Sequence, residues 1–569
     1  MVEKEKDRGE WVMKQGMAAV KTALEKKLSW VVGAIVVIQP LLDVLSYFLQ
    51  EMGSNSLTTA LRFLMLAGVA LLGFLVSDRK KLYFIFYGVV VVYWIAHMLN
   101  CFRVGYQSPV SDAGAFSRIM NFPVFALSFI TFFEKGKDVR RVVVWGFAIN
   151  LLTMVLFTVL PWATGNPVYT YDELYIGVMG WFAVENSQST ILVLVAPVAI
   201  YGAYRLKKYP LFLLAVLLSF GMLFVTGTKF TFYSIFIIAG AFIFLFVMNL
   251  RKQSIRYVTP LLAVLVLVVA FRQYSPMQQR ESQYAYSQGI YQQIVEDGLR
   301  SSGTDAETLE AIRQEVNQAK EDSSSNKQSS NSGKETEEEY AAETRLGRMR
   351  EGLISVYTDP DGYGPILEDM TERFGIYNVM EIYDYTSASY VLSDFRVLKS
   401  RYAELMWEEK DTLTHLLGSE AQDMITSGFN YDLENDFPAV FYSCGYIGFA
   451  LYMLFLLAFF GMILRAFALD VSAAWQEQKG KKRRSVLRVS GALGGGIQRF
   501  LTVEMGAVGM TFLLAVISGL ISGNTLRRPN VTVYFAITAA YLCYLTFLQR
   551  KEPLFPRKKE KADRLKNTF

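Results

Sequence analysis

Apolar runs of about 20 residues recur along this chain, and that length spans the roughly 30 Å hydrocarbon core of a bilayer. Nine begin near Trp30, Thr59, Leu82, Phe116, Val142, Gln188, Pro210, Phe230 and Tyr257, and three more near Phe437, Leu501 and Val531. The fold class they imply is all-α: a polytopic membrane protein of about 12 transmembrane helices, with a large external helical loop between helices 9 and 10.

The basic residues set the orientation. Arg79-Lys80-Lys81, Lys135 to Arg141, Arg205 to Lys208, Arg251 to Arg256, Lys479 to Arg488 and the tail from Arg550 to Lys566 fall on alternate loops, together with the N-terminus. By the positive-inside rule these loops face the cytoplasm. The expected division is a cytoplasmic segment 1–29, helices 1–9 over 30–272, an external loop 273–436, helices 10–12 over 437–549 with a basic cytoplasmic loop 465–499, and a cytoplasmic tail 550–569. The first segment alternates Lys, Glu and apolar residues, a pattern that fits a helix on the inner membrane face as well as a solvated tail. It lacks the apolar core and cleavage site of a secretory signal.

Composition removes several classes of function. The net charge of +5 is accounted for by loops near anionic lipid, so nucleic acid is not a needed partner. Three scattered cysteines and two histidines, His97 and His415, show neither disulfide nor metal-ligand spacing. His97 and His415 are read as structural and without evident partners, and no metal or cofactor is expected. A phosphate-cradling nucleotide loop is also missing, which disfavours ATP-driven transport. Within the external loop, the Ser, Asn, Lys and Glu tract near 301–340 cannot bury a core and is expected to be disordered. Tyr284 to Leu299, Arg345 to Tyr357 and Tyr390 to Leu417 have helical spacing, forming a lid.

Polar groups stand out where lipid makes them costly. Asp43 lies inside the first span, about two turns from its outer end, and Arg62 one turn into the second at the same outer level. An ionisable side chain at that depth costs on the order of 3 kcal/mol unless paired or hydrated. A structural Asp43–Arg62 pair is the favoured reading, and an anion-lining Arg62 the other. Lys229, in Thr226-Gly227-Thr228-Lys229, opens a helix at a tight external turn, where backbone N–H groups and the helix dipole attract anions. The bland reading is a snorkelling lysine. Arg118 is external as well. Gly180-Trp181-Phe182 with Glu185-Asn186 offers an aromatic platform and polar groups, or equally an interfacial Trp belt. On a lid helix, Arg396 and Arg401 precede Leu416-Leu417-Gly418. Then follow Asp432, Glu434 and Asp436, which meet the membrane just before Gly445-Tyr446-Ile447-Gly448.

Together these residues give a resemblance. Gln39-Pro40-x-x-Asp43, Gly180-Trp181-Phe182 with Asn186 and Pro197, Gly227-Thr228-Lys229, the Arg-bearing helix before Leu416-Leu417-Gly418, and Glu434-x-Asp436 before Gly445-x-x-Gly448 follow in order over nearly the whole chain. In these features it resembles the O-antigen ligase and polymerase superfamily of bacterial membrane glycosyltransferases. The resemblance implies a plasma-membrane enzyme that moves a glycan from a polyprenyl diphosphate carrier to an acceptor hydroxyl, without metal or nucleotide sugar. Other polysaccharide-assembly proteins would be its partners. Two positions depart from the family pattern: Glu434-Asn435-Asp436 stands where many relatives carry His-Asn, and Gly523-Asn524 where Gly-His is expected.

An alcohol is a poor nucleophile, so a carboxylate that accepts its proton helps by about 100-fold or more. Asp436 is the first candidate base, Glu434 the second and Asp432 the third. A helix cap is the structural alternative for Asp436. Lys229, Arg396 and Arg401, then Arg62 and Arg118, are the candidates for the leaving diphosphate. Trp181, Asn186 and Asn524 are candidates for substrate binding. A flippase for the lipid-linked glycan and a non-catalytic assembly scaffold are the competing classes.

Overall fold

The computed structural model describes residues 2–54, 56–250, 253–283, 285–286, 370, 373–374, 395–421, 425–426, 429–430, 433–479, 485–523 and 525–549. Every predicted apolar run in it is a helix. In chain order these are α1 (Val2–Glu51), α2 (Ser56–Val76), α3 (Lys80–Val104), α4 (Pro109–Lys135), α5 (Val139–Ala163), α6 (Glu185–Arg205), α7 (Tyr209–Thr226), α8 (Lys229–Leu250) and α9 (Ser254–Ala270). Helices α10 (Phe395–Glu408) and α11 (Thr412–Leu417) precede α12 (Asp436–Lys479), and α13 (Ser485–Phe500), α14 (Val503–Ile521) and α15 (Pro529–Cys543) complete the chain. Among the described residues, eleven helices are long and apolar enough to cross a membrane, and α9 is a shorter apolar helix of 17 residues. The protein is thus an all-α, multi-pass membrane protein. Strand among the described residues amounts to the pair Ile425–Thr426 with Phe429–Asn430.

Of the two readings of the first segment, helix or solvated tail, the structure has the helix, and the basic loop 465–499 is largely helical too. Residues 2–29 continue into the first span as α1, and the basic stretch 465–499 contains the end of α12 and most of α13. Lid segments Tyr284 to Leu299 and Arg345 to Tyr357, and the tract 301–340, lie outside the described residues apart from residues 285–286.

Packing divides the chain into two compact units. The first comprises Met1–Val92, Phe116–Gln279 and Ala450–Phe569, and the second Tyr93–Ala115 and Arg280–Phe449. The centre of the first unit is α6, whose residues from Ser187 to Tyr201 are all buried. It packs on α5, α7, α8, α14 and α15, which explains why α6 is apolar all round rather than striped. Some polar groups that enter this core tie helices together. Asn150 donates to the Val36 carbonyl at 2.9 Å and to the Tyr534 hydroxyl at 2.8 Å, tying α5 to α1 and α15.

Charged residues gather at one end of the first unit. Asp78 accepts from Lys21 and Lys135, Arg79 meets Glu134 at 3.1 Å, and Arg140 lies 3.6 Å from Glu504. The bonds from Lys135 and then Lys21 hold the Asp78 carboxyl down at about 2. These contacts bring together the start of the first span, the α2–α3 and α4–α5 turns and the start of α14, which alternation along the chain requires.

At the opposite end, Arg62 reaches the Asp43 carboxylate at 2.7 Å and the Ser46 hydroxyl at 3.3 Å. The expected pair between the first two spans is therefore present. A buried ion pair is weak evidence of net stabilisation, but removing one partner alone strands a charge at a cost of about 3–5 kcal/mol.

Candidate active site

The sequence-predicted residues fall into two groups, one in each unit. In the first unit, Lys229 is the exposed first residue of α8. Behind it, the Thr228 and Thr231 hydroxyls lie 3.1 Å apart in a buried turn. The strand-like loop before α6 runs alongside, with the Val178 N–H donating to the Val225 carbonyl at 3.0 Å. That loop carries Trp181, whose ring packs on Phe48 of α1 at 5.3 Å and Phe157 of α5 at 6.3 Å. Asn186 lies in the first turn of α6, where its carbonyl accepts from Thr190. Next to it, Gln188 donates to the Met179 carbonyl at 2.5 Å, and the Ser187 and Ser189 hydroxyls are buried without hydrogen-bond partners among the described residues. Arg62, Trp181, Asn186 and Lys229 thus share one end of the first unit. Arg118 is an exposed residue of α4, and Asn524 lies outside the described residues.

The second unit holds the carboxylates. Asp436 is the first residue of α12 and is 0% exposed. The first intrahelical bond runs from the Ala439 N–H to the Asn435 carbonyl, so Asn435 stands in the cap position and Asp436 lies inside the helix. The amide oxygen of Asn435 is buried and accepts no hydrogen bond among the described residues. Glu434 is partly buried beside it, and Asp432 lies outside the described residues. Helix α10 carries both lid arginines. Arg401 bonds Glu404 at 2.9 Å, and Arg396 sits in the first turn.

The second unit also explains why the Leu-Leu-Gly and Gly-x-x-Gly motifs belong together. Backbone at Gly418 (φ 91°) and Gly445 (φ 60°) is in the left-handed region, where a side chain is strained. The two glycines press backbone to backbone: a methyl group on Gly418 would strike the Ser443 carbonyl oxygen, and one on Gly445 the Gly418 nitrogen. Gly445 breaks α12, and the carbonyls near the break are taken. The Ser419 N–H donates to the Tyr442 carbonyl at 3.1 Å, and the Tyr93 hydroxyl is shared between the Cys444 carbonyl at 2.7 Å and that of Leu417 at 2.9 Å. Trp407 of α10 adds ring contacts to Phe441 and Tyr442, both at 5.4 Å, while Ala403, Leu433 and Ala439 form a small core.

Reading the sequence alone missed the polar lock that holds this motif. The His97 ring has one nitrogen 2.8 Å from the Leu417 carbonyl and the other 3.0 Å from Asp112 Oδ2, so the earlier view of His97 as partnerless is corrected. His415 is partnered as well, with Nε2 2.7 Å from the Trp407 carbonyl. Asp112 further accepts from Tyr106 at 2.5 Å and from the Ala421 N–H at 3.0 Å. Burial first, and the Asp112 carboxylate second, push the Tyr106 phenol up, which keeps it a donor. Glu420, also buried, accepts the N–H groups of Gln107 at 2.8 Å and Ser108 at 3.0 Å. His97, Cys101 and Asp112 present metal-ligand atoms within 4.8 Å of one another. Both ring nitrogens of His97 already face oxygen acceptors, so an ion pair accounts for the cluster. The usable signal was a His and an Asp near the facing ends of consecutive spans, a costly placement unless they pair.

Asp411 caps α11, accepting the Thr414 N–H at 3.1 Å and its hydroxyl at 2.6 Å, and also meets Arg103. The Thr414 bonds and Arg103 hold its carboxyl below the usual range. A depressed carboxylate contributes stability above its unfolded pKa and loses it as pH falls through the folded value. Asp411→Ala is expected to cost about 1 kcal/mol as a lost cap. In melting curves of purified protein, the gap between Asp411→Ala and parent should be full near pH 7 and shrink below about pH 4; a gap that does not change with pH would contradict this assignment.

A sequence model for the family described as O-antigen ligase like membrane protein matches residues 26–472, which covers most of the chain and every candidate residue except Asn524. The chain belongs to the O-antigen ligase-like membrane proteins. No curated protein and no solved structure matches it. As an O-antigen ligase-like protein it has a membrane glycan-transfer function in polysaccharide biosynthesis. The matched region of this ligase-like chain ends inside α12, so α13 to α15 lie outside it.

Proposed function

We propose that this protein transfers a glycan from a polyprenyl diphosphate to an acceptor hydroxyl on the external face of a bacterial plasma membrane, with both termini cytoplasmic and no metal at the reacting atoms. The observation that carries the reading is the wholly buried Asp436 carboxylate beside the Asn435 amide oxygen, which accepts no hydrogen bond among the described residues. Buried polar atoms are nearly always bonded, and an orphan acceptor next to a carboxylate suits an incoming hydroxyl.

In this mechanism the acceptor oxygen forms a bond to the anomeric carbon and gives its proton to Asp436. The carbon–oxygen bond to the diphosphate breaks, and its electron pair leaves with the phosphate. Glu434 and then Asp432 are the alternative bases. Fixed cations lower a barrier where charge grows in the transition state, and the candidates for that role are Lys229, Arg396 and Arg401, with Arg118 after them. Arg62, already held by Asp43, has the weaker claim. Trp181, Asn186 and Asn524 would contact the sugar or carrier.

The flippase reading has one feature in its favour, the broken helix at Gly445, because transporters bind cargo at such breaks. Here the nearby carbonyls are occupied by Tyr93 and Ser419, leaving little for cargo. Cells lacking the protein separate the readings. Transfer predicts lipid-linked glycan accumulating on the external leaflet, as single repeat units for a polymerase or complete chains for a ligase. Accumulation confined to the cytoplasmic leaflet would overturn transfer in favour of flipping.

A further inference from the structure

A second site lies in the first unit, at the end where Lys21, Asp78 and Glu504 gather. A cavity of about 350 Å³ opens between α5, α6 and α7. Its mouth has two arginines, Arg141 in the first turn of α5 and Arg205 at the end of α6. Both are exposed, and neither makes an ion pair among the described residues, whereas the neighbouring Arg140 is committed to Glu504. Beyond the arginines the walls are apolar, ending at Leu152 and Leu218. Small side chains at Ala148, Ala203 and Ala215 make the hollow.

Length and charge together identify an occupant. From Arg141 to Leu152 is 11 residues, about 16 Å at 1.5 Å per residue. That is close to half of a roughly 30 Å hydrocarbon core, the depth of one leaflet. An apolar hollow opening to lipid takes hydrocarbon, since water there would have no polar partners. Two guanidiniums at the headgroup level with no ion pair among the described residues select a phosphate and disfavour a headgroup that carries its own cation. We propose that this groove is a binding site for an anionic glycerophospholipid, with one acyl chain between α5 and α7 and its phosphate held by Arg141 and Arg205. It is separate from the polyprenyl donor, whose candidate contacts Trp181 and Lys229 lie at the other end of this unit. The proposal needs only the membrane-spanning fold.

Trp145 lines the groove and is a built-in reporter. The full chain is reconstituted in phosphatidylcholine vesicles, and brominated phosphatidylglycerol or brominated phosphatidylcholine is titrated in. The Trp145 signal is the emission difference between parent and Trp145→Phe. Each basic residue near anionic lipid is worth about fivefold in affinity. Phosphatidylglycerol should therefore quench Trp145 at a mole fraction about 5- to 25-fold lower than phosphatidylcholine does. The preference should vanish in Arg141→Ala/Arg205→Ala, and Ala215→Phe, which fills the hollow and keeps both charges, should weaken quenching by either lipid. Equal quenching by the two lipids in the parent, or a preference that survives loss of both arginines, overturns the site. Quenching by brominated polyprenyl phosphate in preference to phosphatidylglycerol also overturns it.

Discussion

Asp436→Asn should lower glycan transfer by two orders of magnitude or more while leaving the folded protein in place. The substitution keeps size and shape and removes the proton acceptor, and a positioned base contributes typically 10²- to 10⁴-fold. Its place inside the first turn of α12, with Asn435 as the cap, means that the helix start should survive the change. Glu434→Gln, at a partly exposed position, should cost less. The measurement is initial rate against acceptor concentration, with melting temperature as the control for folding. If Asp436→Asn and Arg396→Ala both transfer at the parental rate, the assigned residues are wrong.

Gly418→Ala and Gly445→Ala should each unseat the lid, with an effect comparable to a large core lesion. Left-handed backbone costs an alanine about 1–2 kcal/mol. To that is added a collision with main chain, Ser443 in one case and Gly418 itself in the other, and main chain cannot swing aside as a side chain can. A total of about 4 kcal/mol or more places both among exceptional single substitutions. Tyr93→Phe, which deletes one shared hydroxyl bond, should cost only about 1 kcal/mol and makes a graded comparison. Limited proteolysis of residues 395–445 and loss of activity should be large in both glycine variants and small in Tyr93→Phe. Parental protease resistance in both glycine variants would show that the backbone contact does not hold the lid.

Hydropathy made the helices legible because each span must satisfy its backbone internally and turn apolar groups to lipid. The Asp43–Arg62 pair was legible for the same reason, as two charges at one depth have little alternative to each other. The helical continuation of 2–29 into α1 was not, since a charged amphipathic stretch reads equally well as tail or surface helix. Gly418 and Gly445 showed as glycines in a motif, but their contact spans 27 positions of chain and leaves no pattern in sequence. The His97–Asp112 pair left a signal at the facing ends of α3 and α4, but the Leu417 carbonyl that His97 also meets lies 320 positions along the chain and left none. The cation set at Lys229, Arg396 and Arg401 was chosen by charge and position alone, and their roles rest on the proposed mechanism.

Purified full-length protein in proteoliposomes, given a polyprenyl-diphosphate glycan and an acceptor glycan, offers the decisive measurement: stoichiometry of released polyprenyl diphosphate against glycan gained by the acceptor. The mechanism proposed here gives one carrier released per glycan transferred, with no added metal or nucleotide and with less than about 1% of the parental rate in Asp436→Asn. Carrier that moves between leaflets with its glycan still attached, or an Asp436→Asn variant as fast as the parent, would contradict it.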